Sequence, residues 1–348
     1  AAFLMAEFVG VPYFDVVKAA TIPALLYFLG IWLGVHFEAR RSNLKGVPRS
    51  ELPKPWEILK ERGHLAIPLI VIIYLLVSGF TPMRAALWAI VLAIAASSLR
   101  KSTRMKPVEI VRGLENGARN VLGVLVACAS AGIIIGVVTK TGVGLKLASA
   151  LLDLSGGMLL PTMFFTMITS IILGMGVPTT ANYVITSTIA APALVQMGVP
   201  VLAAHMFVFY FGIIADVTPP VALAAFAGSA ISGGKPLKTG INASKLAIAA
   251  FIIPYIFVLS PVVLMIDATP ISLITVLVTS VIGMVGLSAS MIGCLVKPLN
   301  GLERVMLFVG GLLMIQPGLV TDLVGFLLLA SVLFFQQRRS KAEASSLG

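Results

Sequence analysis

The stretch GMGVPTTANYVITSTIAAPALVQMGVPVLAAHMFVFYFGIIADVTPP (residues 174–220) holds two interruptions inside otherwise apolar sequence. The first is Gly174-Met175-Gly176-Val177-Pro178-Thr179-Thr180, and the second is Asp216-Val217-Thr218-Pro219-Pro220. Neither continues a regular helix. Proline lacks the backbone donor and its ring clashes with the preceding turn, and glycine is free to leave helical geometry. Unwound backbone at membrane depth survives only where it lines a cavity or is buried in protein. The breaks therefore predict a re-entrant hairpin over 158–197 and a broken crossing helix over 203–232. Paired interruptions of this kind point to a transporter site, where half-helix ends meet ions and substrate.

The rest of the chain agrees. Of 348 residues, 58% are hydrophobic and 11% charged, against about 25% charged in soluble domains. The mean hydropathy is +1.04. A soluble fold this apolar has no surface to show to water, and apolar runs this long belong to helices rather than to a barrel. The length allows about nine to eleven membrane segments at roughly 20 residues each. This excludes a soluble enzyme, a nucleic-acid-binding domain and a disulfide scaffold. Cys128 and Cys294 lie in separate apolar segments and read as small packing residues. His36, His64 and His205 have no metal-ligand spacing. No nucleotide-binding or nucleophile motif occurs, so neither an enzyme nor a resident cofactor is expected.

Apolar runs fall at 15–37, 64–80, 84–99, 120–139, 158–174, 180–197, 201–232, 246–266, 270–290, 303–316 and 319–335. Two polar connectors, 38–63 and 100–120, are rich in Lys and Arg. Trp56–Arg62 and Pro107–Arg119 read as amphipathic arms at the interface. Two spans join the connectors, so both lie on one side. With alternate crossings elsewhere, and one net crossing over 157–234, that side collects 21 of the 25 Lys and Arg. The other side keeps Lys18, Arg84, Lys140 and Lys146. Such a split places the connectors and the C-terminus in the cytoplasm. The basic arm then meets anionic lipid head groups.

Ala1-Ala2-Phe3 followed by Gly10 matches Ala224-Ala225-Phe226 followed by Gly233 at a constant offset of 223. Each is followed by lysine (Lys18, Lys245) and an apolar span with an early proline (Pro23, Pro254). The charge count runs the two spans in opposite directions, as an inverted repeat requires. Ala1–Gly10 has neither a basic leader nor a cleavage signal. The expectation is the C-terminal part of a longer protein, with the first repeat incomplete and not transporting alone. The expected organisation is 1–39, the tail of the first repeat; 40–63, a cytoplasmic basic connector; 64–266, the second repeat; and 267–348, extra transmembrane helices and a basic tail.

Residues 174–240, with MAEFVGVPY (5–13) and HFEARRSNLKGVPRSELP (36–53), resemble the large permease subunit of TRAP transporters, in the ion transporter superfamily. The similarity is greatest to fused 4TM/12TM permeases that work with TAXI-type binding proteins, and covers about 1–265. The resemblance implies an all-α inverted-repeat membrane transporter in a bacterial or archaeal inner membrane. It implies sodium-coupled uptake of an organic acid such as a C4-dicarboxylate, delivered by a periplasmic solute-binding protein, with a small-subunit (4TM) region fused in the full-length protein. Sodium is then the coupling ion and no other cofactor is implied; no nucleic acid is involved. Two other readings stay open: a sodium/anion symporter of the same superfamily that needs no binding protein, and a structural or pore subunit without coupled transport.

The candidate site is Gly174, Met175, Gly176, Pro178, Thr179, Thr180, Asn182, Asp216, Thr218, Pro219 and Pro220. Backbone carbonyls freed by the breaks and the threonine hydroxyls suit a hard cation, with Gly174, Gly176, Thr179 and Thr218 as the sodium candidates. A β-carbon at either glycine is expected to crowd the ion. The tip is alternatively an ordinary Gly/Pro turn. Asn182 is either a lining group or a helix N-terminal residue. Asp216, the only carboxylate within 158–232, is either a site residue or a cap on the second half-helix. His205 reads as an interfacial histidine.

Overall fold

Helices form nearly all of the chain in this computed structural model, and no strand occurs among the described residues. The structure describes residues 1–44, 46–48 and 51–346, without the side chains of 120, 123, 124, 127 and 339–346. Lys45, Arg49 and Ser50 of the basic connector, and the side chains of Arg339 and Lys341 in the tail, lie outside the described residues.

In chain order the helices are α1 (Ala2–Val9), α2 (Tyr13–Arg41), α3 (Pro55–Arg62), α4 (Ile67–Val77), α5 (Pro82–Ser98), α6 (Pro107–Thr141), α7 (Val143–Leu154), α8 (Leu159–Gly174) and α9 (Thr179–Ile189). They continue with α10 (Ala191–Gln196), α11 (Val201–Ile214), α12 (Leu223–Ser232), α13 (Pro236–Leu246), α14 (Ile248–Leu259), α15 (Pro270–Ile292), α16 (Gly301–Ile315) and α17 (Leu319–Ser346). Among the described residues, four spans are long and apolar enough to cross a membrane: α2, α13 with α14, α15, and Leu319–Arg338 of α17. A fifth arises if the end of α6 and α7, bent by 72° at Gly142, count as one. The other apolar runs are shorter. At 1.5 Å per residue, α8 and α11 reach only about 21–24 Å, less than the roughly 30 Å hydrocarbon layer. They have the lengths of a hairpin arm and a half-helix. The hairpin and the broken helix thus fall where the two interruptions place them: α8 and α9 flank 175–178, and α11 and α12 flank 215–222.

One expected element differs. Pro107–Arg119 is not a separate interfacial arm but the first third of α6, a continuous helix of 35 residues. Pro107 begins it, where a missing donor costs nothing. No proline follows within it, and an i,i+4 pair between Glu115 and Arg119 (2.9 Å) spans the polar section. The connectors do share one end of the α4–α5 hairpin. Arg100 donates to the Glu61 carbonyl (2.9 Å), and His64 Nε2 pairs with Thr103 Oγ1 (3.0 Å).

By internal contacts the chain divides into two compact units. One comprises 2–16 and 45–129; the other comprises Ala1, 17–44 and 130–348. The larger unit is built around α11, which is apolar on every face and correspondingly buried. Phe207 and Phe211 are fully buried. Their rings lie 4.8 Å apart, and Tyr255 of α14 lies 5.5 Å from Phe207. In a bilayer, burial of apolar surface gives little drive, because lipid tails are equally apolar. Close packing through small residues supplies it instead. Ala203 and Ala204 are fully buried on α11. The same device joins α15, α16 and α17, where Gly283 meets Gly311 and Gly310 meets Gly325.

The internal match recurs in local structure. α1 ends at Gly10 (φ +76°) before the long α2, and α12 ends at Gly233 (φ +68°) before α13 and α14. Both glycines adopt the left-handed conformation that stops a helix.

Candidate functional site

The closest approach between the hairpin and the broken helix is a pair of glycines. Gly174 ends α8, and Gly212 lies on α11, four residues before Asp216. A β-carbon on Gly174 would stand 2.5 Å from the Gly212 carbonyl oxygen and 2.9 Å from its Cα. Only glycine allows the two backbones to pass this closely. The carboxamide of Asn182, from the first turns of α9, fills the remaining space. Its Nδ2 lies 2.8 Å from where that β-carbon would sit, and its Cγ lies 3.0 Å from the equivalent point on Gly212.

At this crossing, Asn182 Oδ1 and the Gly212 carbonyl receive no hydrogen bond among the described residues. Asn182 is 3% exposed, and its Oδ1 is buried without a hydrogen-bond partner among the described residues. A buried polar atom without a partner costs about 1–3 kcal/mol, so it needs a reason. The second acceptor is the carbonyl of Gly212. In a continuing helix it would receive the Asp216 N–H. That N–H turns instead to Ile213 O (3.0 Å) because the chain breaks here. The Val217 and Thr218 N–H groups and the Thr218 hydroxyl all converge on Ile214 O. The break thus gathers its donors on Ile213 and Ile214 and frees an oxygen beside Gly174. Oxygen acceptors without donors suit a hard cation.

The other candidate residues are placed as follows. Met175 and Gly176 form the tip. Gly176 has φ +70°, and a β-carbon added to it would meet no atom within 4 Å. A left-handed backbone favours glycine there whatever the space around it. Gly174 is the crowded one. Pro178 precedes the first turn of α9, and its carbonyl accepts the Asn182 N–H (2.9 Å). Thr179 and Thr180 open that helix; Thr179 is exposed and Thr180 half-buried. Pro219 packs on Gly240 of α13, and Ser244 donates to Val217 O (3.4 Å). Pro220 is exposed. Asp216 is half-buried, and its main-chain carbonyl accepts the Ala224 N–H (3.0 Å). The expected cap is not formed: α12 starts after Ala222, and no side chain caps it. Among the described residues, 175–180 and 216–220 share no hydrogen bond. What meets is Gly174 and Asn182 with Gly212, one turn before Asp216.

Gly212 escaped the sequence reading. Its signal is a lone glycine in the apolar run Phe211-Gly212-Ile213-Ile214, on the face of Asp216 by i,i+4 spacing. His205 is half-buried, and its Nδ1 pairs with the fully buried Tyr183 Oη at 2.8 Å. That pair locks α9 to α11 behind the crossing. Among the described residues, no cluster of His, Cys, Asp and Glu could hold a metal ion.

Comparison with known proteins adds one result. Residues 1–272 match the model of the family described as "Tripartite ATP-independent periplasmic transporter, DctM component". No curated protein and no solved structure matches the chain. The family match covers both interruptions and ends within the first turn of α15, where Thr269 and Ser272 form a reciprocal cap. With its all-helical fold and membrane-length apolar helices, the chain belongs to the DctM family, the membrane permeases of tripartite ATP-independent periplasmic (TRAP) transporters.

Proposed function

We propose that this chain is the permease of a sodium-coupled TRAP transporter that takes up an organic acid, a C4-dicarboxylate or similar anion, delivered by a TAXI-type binding protein. Membership in a tripartite family gives it a periplasmic component and a small membrane subunit as partners; fusion of that subunit belongs to the proposal. The observation that carries the sodium assignment is the pair of oxygens left without donors at the Gly174–Gly212 crossing, Asn182 Oδ1 and the Gly212 carbonyl. Thr179, Thr180 and Thr218 add hydroxyl oxygens nearby in the chain. Asp216 supplies negative charge one turn away.

Coupling follows from the same geometry. The carboxamide oxygen belongs to α9 of the hairpin and the released carbonyl to α11 of the broken helix. An ion bridging them draws the hairpin tip to the broken helix, so one arrangement is favoured only when sodium is bound. The organic anion then binds where the half-helix N-terminus of α9 offers positive dipole.

The test uses Gly176→Val and Thr218→Val in the reconstituted transporter with its binding protein. Valine at φ +70° is strained, and Thr218→Val removes one oxygen. Both are expected to raise the sodium concentration for half-maximal uptake, with binding-protein docking unchanged. Wild-type sodium dependence in both variants would refute the assignment.

Orientation is proposed from the charge split, with both connectors and the C-terminus in the cytoplasm of the inner membrane. In a cysteine-free background, Ser102→Cys and Glu51→Cys are expected to resist a membrane-impermeant thiol reagent in intact cells. Labelling at either position would reverse the assignment.

A further inference from the structure

At one end of the larger unit, a pocket of about 300 Å³ lies among α2, α13, α15 and α16, lined by Arg41, Lys245, Arg304, Asn242 and Glu38. A second pocket of about 360 Å³ shares Arg41 with it and adds Arg40 and Lys297. The guanidiniums are anchored on the last turn of α15 and on the segment just after it. Arg304 donates to Ser290 O (2.9 Å) and Met291 O (3.2 Å). Arg41 donates to Ile292 O (3.2 Å) and to Glu38 (2.7 Å). Arg40 donates to Leu295 O (3.4 Å).

Capping the helix ends explains part of this arrangement. The C-termini of α2 and α15 each carry roughly half a negative charge, and Glu38 adds one. Leaving Lys297 aside, four cations line the two pockets, so about two positive charges remain beyond the helix ends and Glu38. Donors are also left over. A guanidinium has five N–H groups, and Arg41 and Arg304 each spend two of them on the bonds above. Lys245 and Asn242 make no side-chain hydrogen bond among the described residues. Fixed guanidinium edges beside a mobile ammonium are the recognition chemistry of a phosphate group.

We propose that this pair of neighbouring pockets binds a phosphate group, with Arg41 lining both and Lys245 and Asn242 closing on its oxygens. The group comes either from the headgroup of an anionic phospholipid or from free phosphate. The site stands apart from the sodium crossing and does not depend on it.

Two arms separate the sources. In the first, the purified chain in mixed micelles is examined by native mass spectrometry with phosphatidylglycerol or phosphatidylcholine. In the second, inorganic phosphate is titrated into the lipid-free detergent complex. The expected results are preferential retention of phosphatidylglycerol and an about fivefold weakening in Lys245→Gln, the usual effect of one basic residue at an anionic surface. Lys235→Gln, outside both pockets, serves as control and is expected to change nothing. Saturable phosphate binding that Lys245→Gln weakens, with no lipid preference, would support the site with free phosphate as its source. The proposal is overturned if neither ligand is selected, or if Lys245→Gln and Lys235→Gln weaken binding equally.

Discussion

Gly212→Val is expected to abolish coupled uptake. A β-carbon there meets Asn182 Nδ2 at 2.9 Å and Cγ at 3.0 Å, and the isopropyl group extends further into the same crossing. Overpacking of this kind costs about 1–3 kcal/mol where a structure can shift. Here the shift must expel Asn182 or part α8 from α11. Either outcome separates the two oxygens of the proposed sodium site. Gly174→Ala acts on the same contact from the other side, against backbone that has no flexible end to yield. Gly228→Ala on α12, where a β-carbon meets nothing within 4 Å, is the control and is expected to transport normally. The measurement is sodium-driven uptake by the reconstituted transporter, with membrane insertion checked separately. Wild-type uptake by Gly212→Val would show that the crossing is not needed.

Asn182→Leu separates binding from packing. Leucine shares the branched outline of asparagine, with methyl groups in place of the oxygen and nitrogen, so the space between the glycines stays filled. Hydrogen bonds to charged groups contribute about 1.5–3 kcal/mol, and loss of one oxygen ligand on that scale raises the sodium concentration for half-maximal uptake by about 10- to 100-fold. Stability is expected to move the other way. Without sodium, the variant no longer buries an unpartnered acceptor, and its melting temperature should equal or exceed wild type. Adding sodium should stabilise wild type, because ligand binding to the folded state shifts the unfolding equilibrium, and leave the variant unmoved. An Asn182→Leu protein that is less stable in sodium-free buffer yet keeps its sodium dependence would make Asn182 a packing residue only.

The two interruptions were readable because proline and glycine act locally. Pro178, Pro219 and Pro220 forbid helix wherever the tertiary fold puts them, so the hairpin and the broken helix follow from the chain itself. Spans such as α2 and α15 were readable for the same reason, since their apolar length is a property of the segment. Gly212 was not readable, because its role depends on which helix crosses it; a glycine inside an apolar helix looks the same whether it meets lipid or Gly174. The capping role weighed for Asp216 failed on a similar point. Helix α12 begins after Ala222, two residues beyond the prolines, and where a helix restarts after a break is settled by its packing on α13. The arm at Pro107–Arg119 merged into α6 because a change from polar to apolar composition does not itself end a helix. At Gly176 one reason for the residue type shows only in the structure: the tip turns through a left-handed φ of +70°.

The most direct test of the central claim is a structure of the transporter in sodium beside one in a buffer without it. In sodium, an ion is expected between the hairpin and the broken helix, with Asn182 Oδ1 and the Gly212 carbonyl in its shell at about 2.3–2.6 Å, the range of a comparable hard cation. In the sodium-free structure the ion is absent and the tip 174–180 is expected to draw away from α11. Absence of an ion at this crossing in saturating sodium, or a separation of more than about 10 Å between the tip and the loop 216–220 in that state, would contradict it.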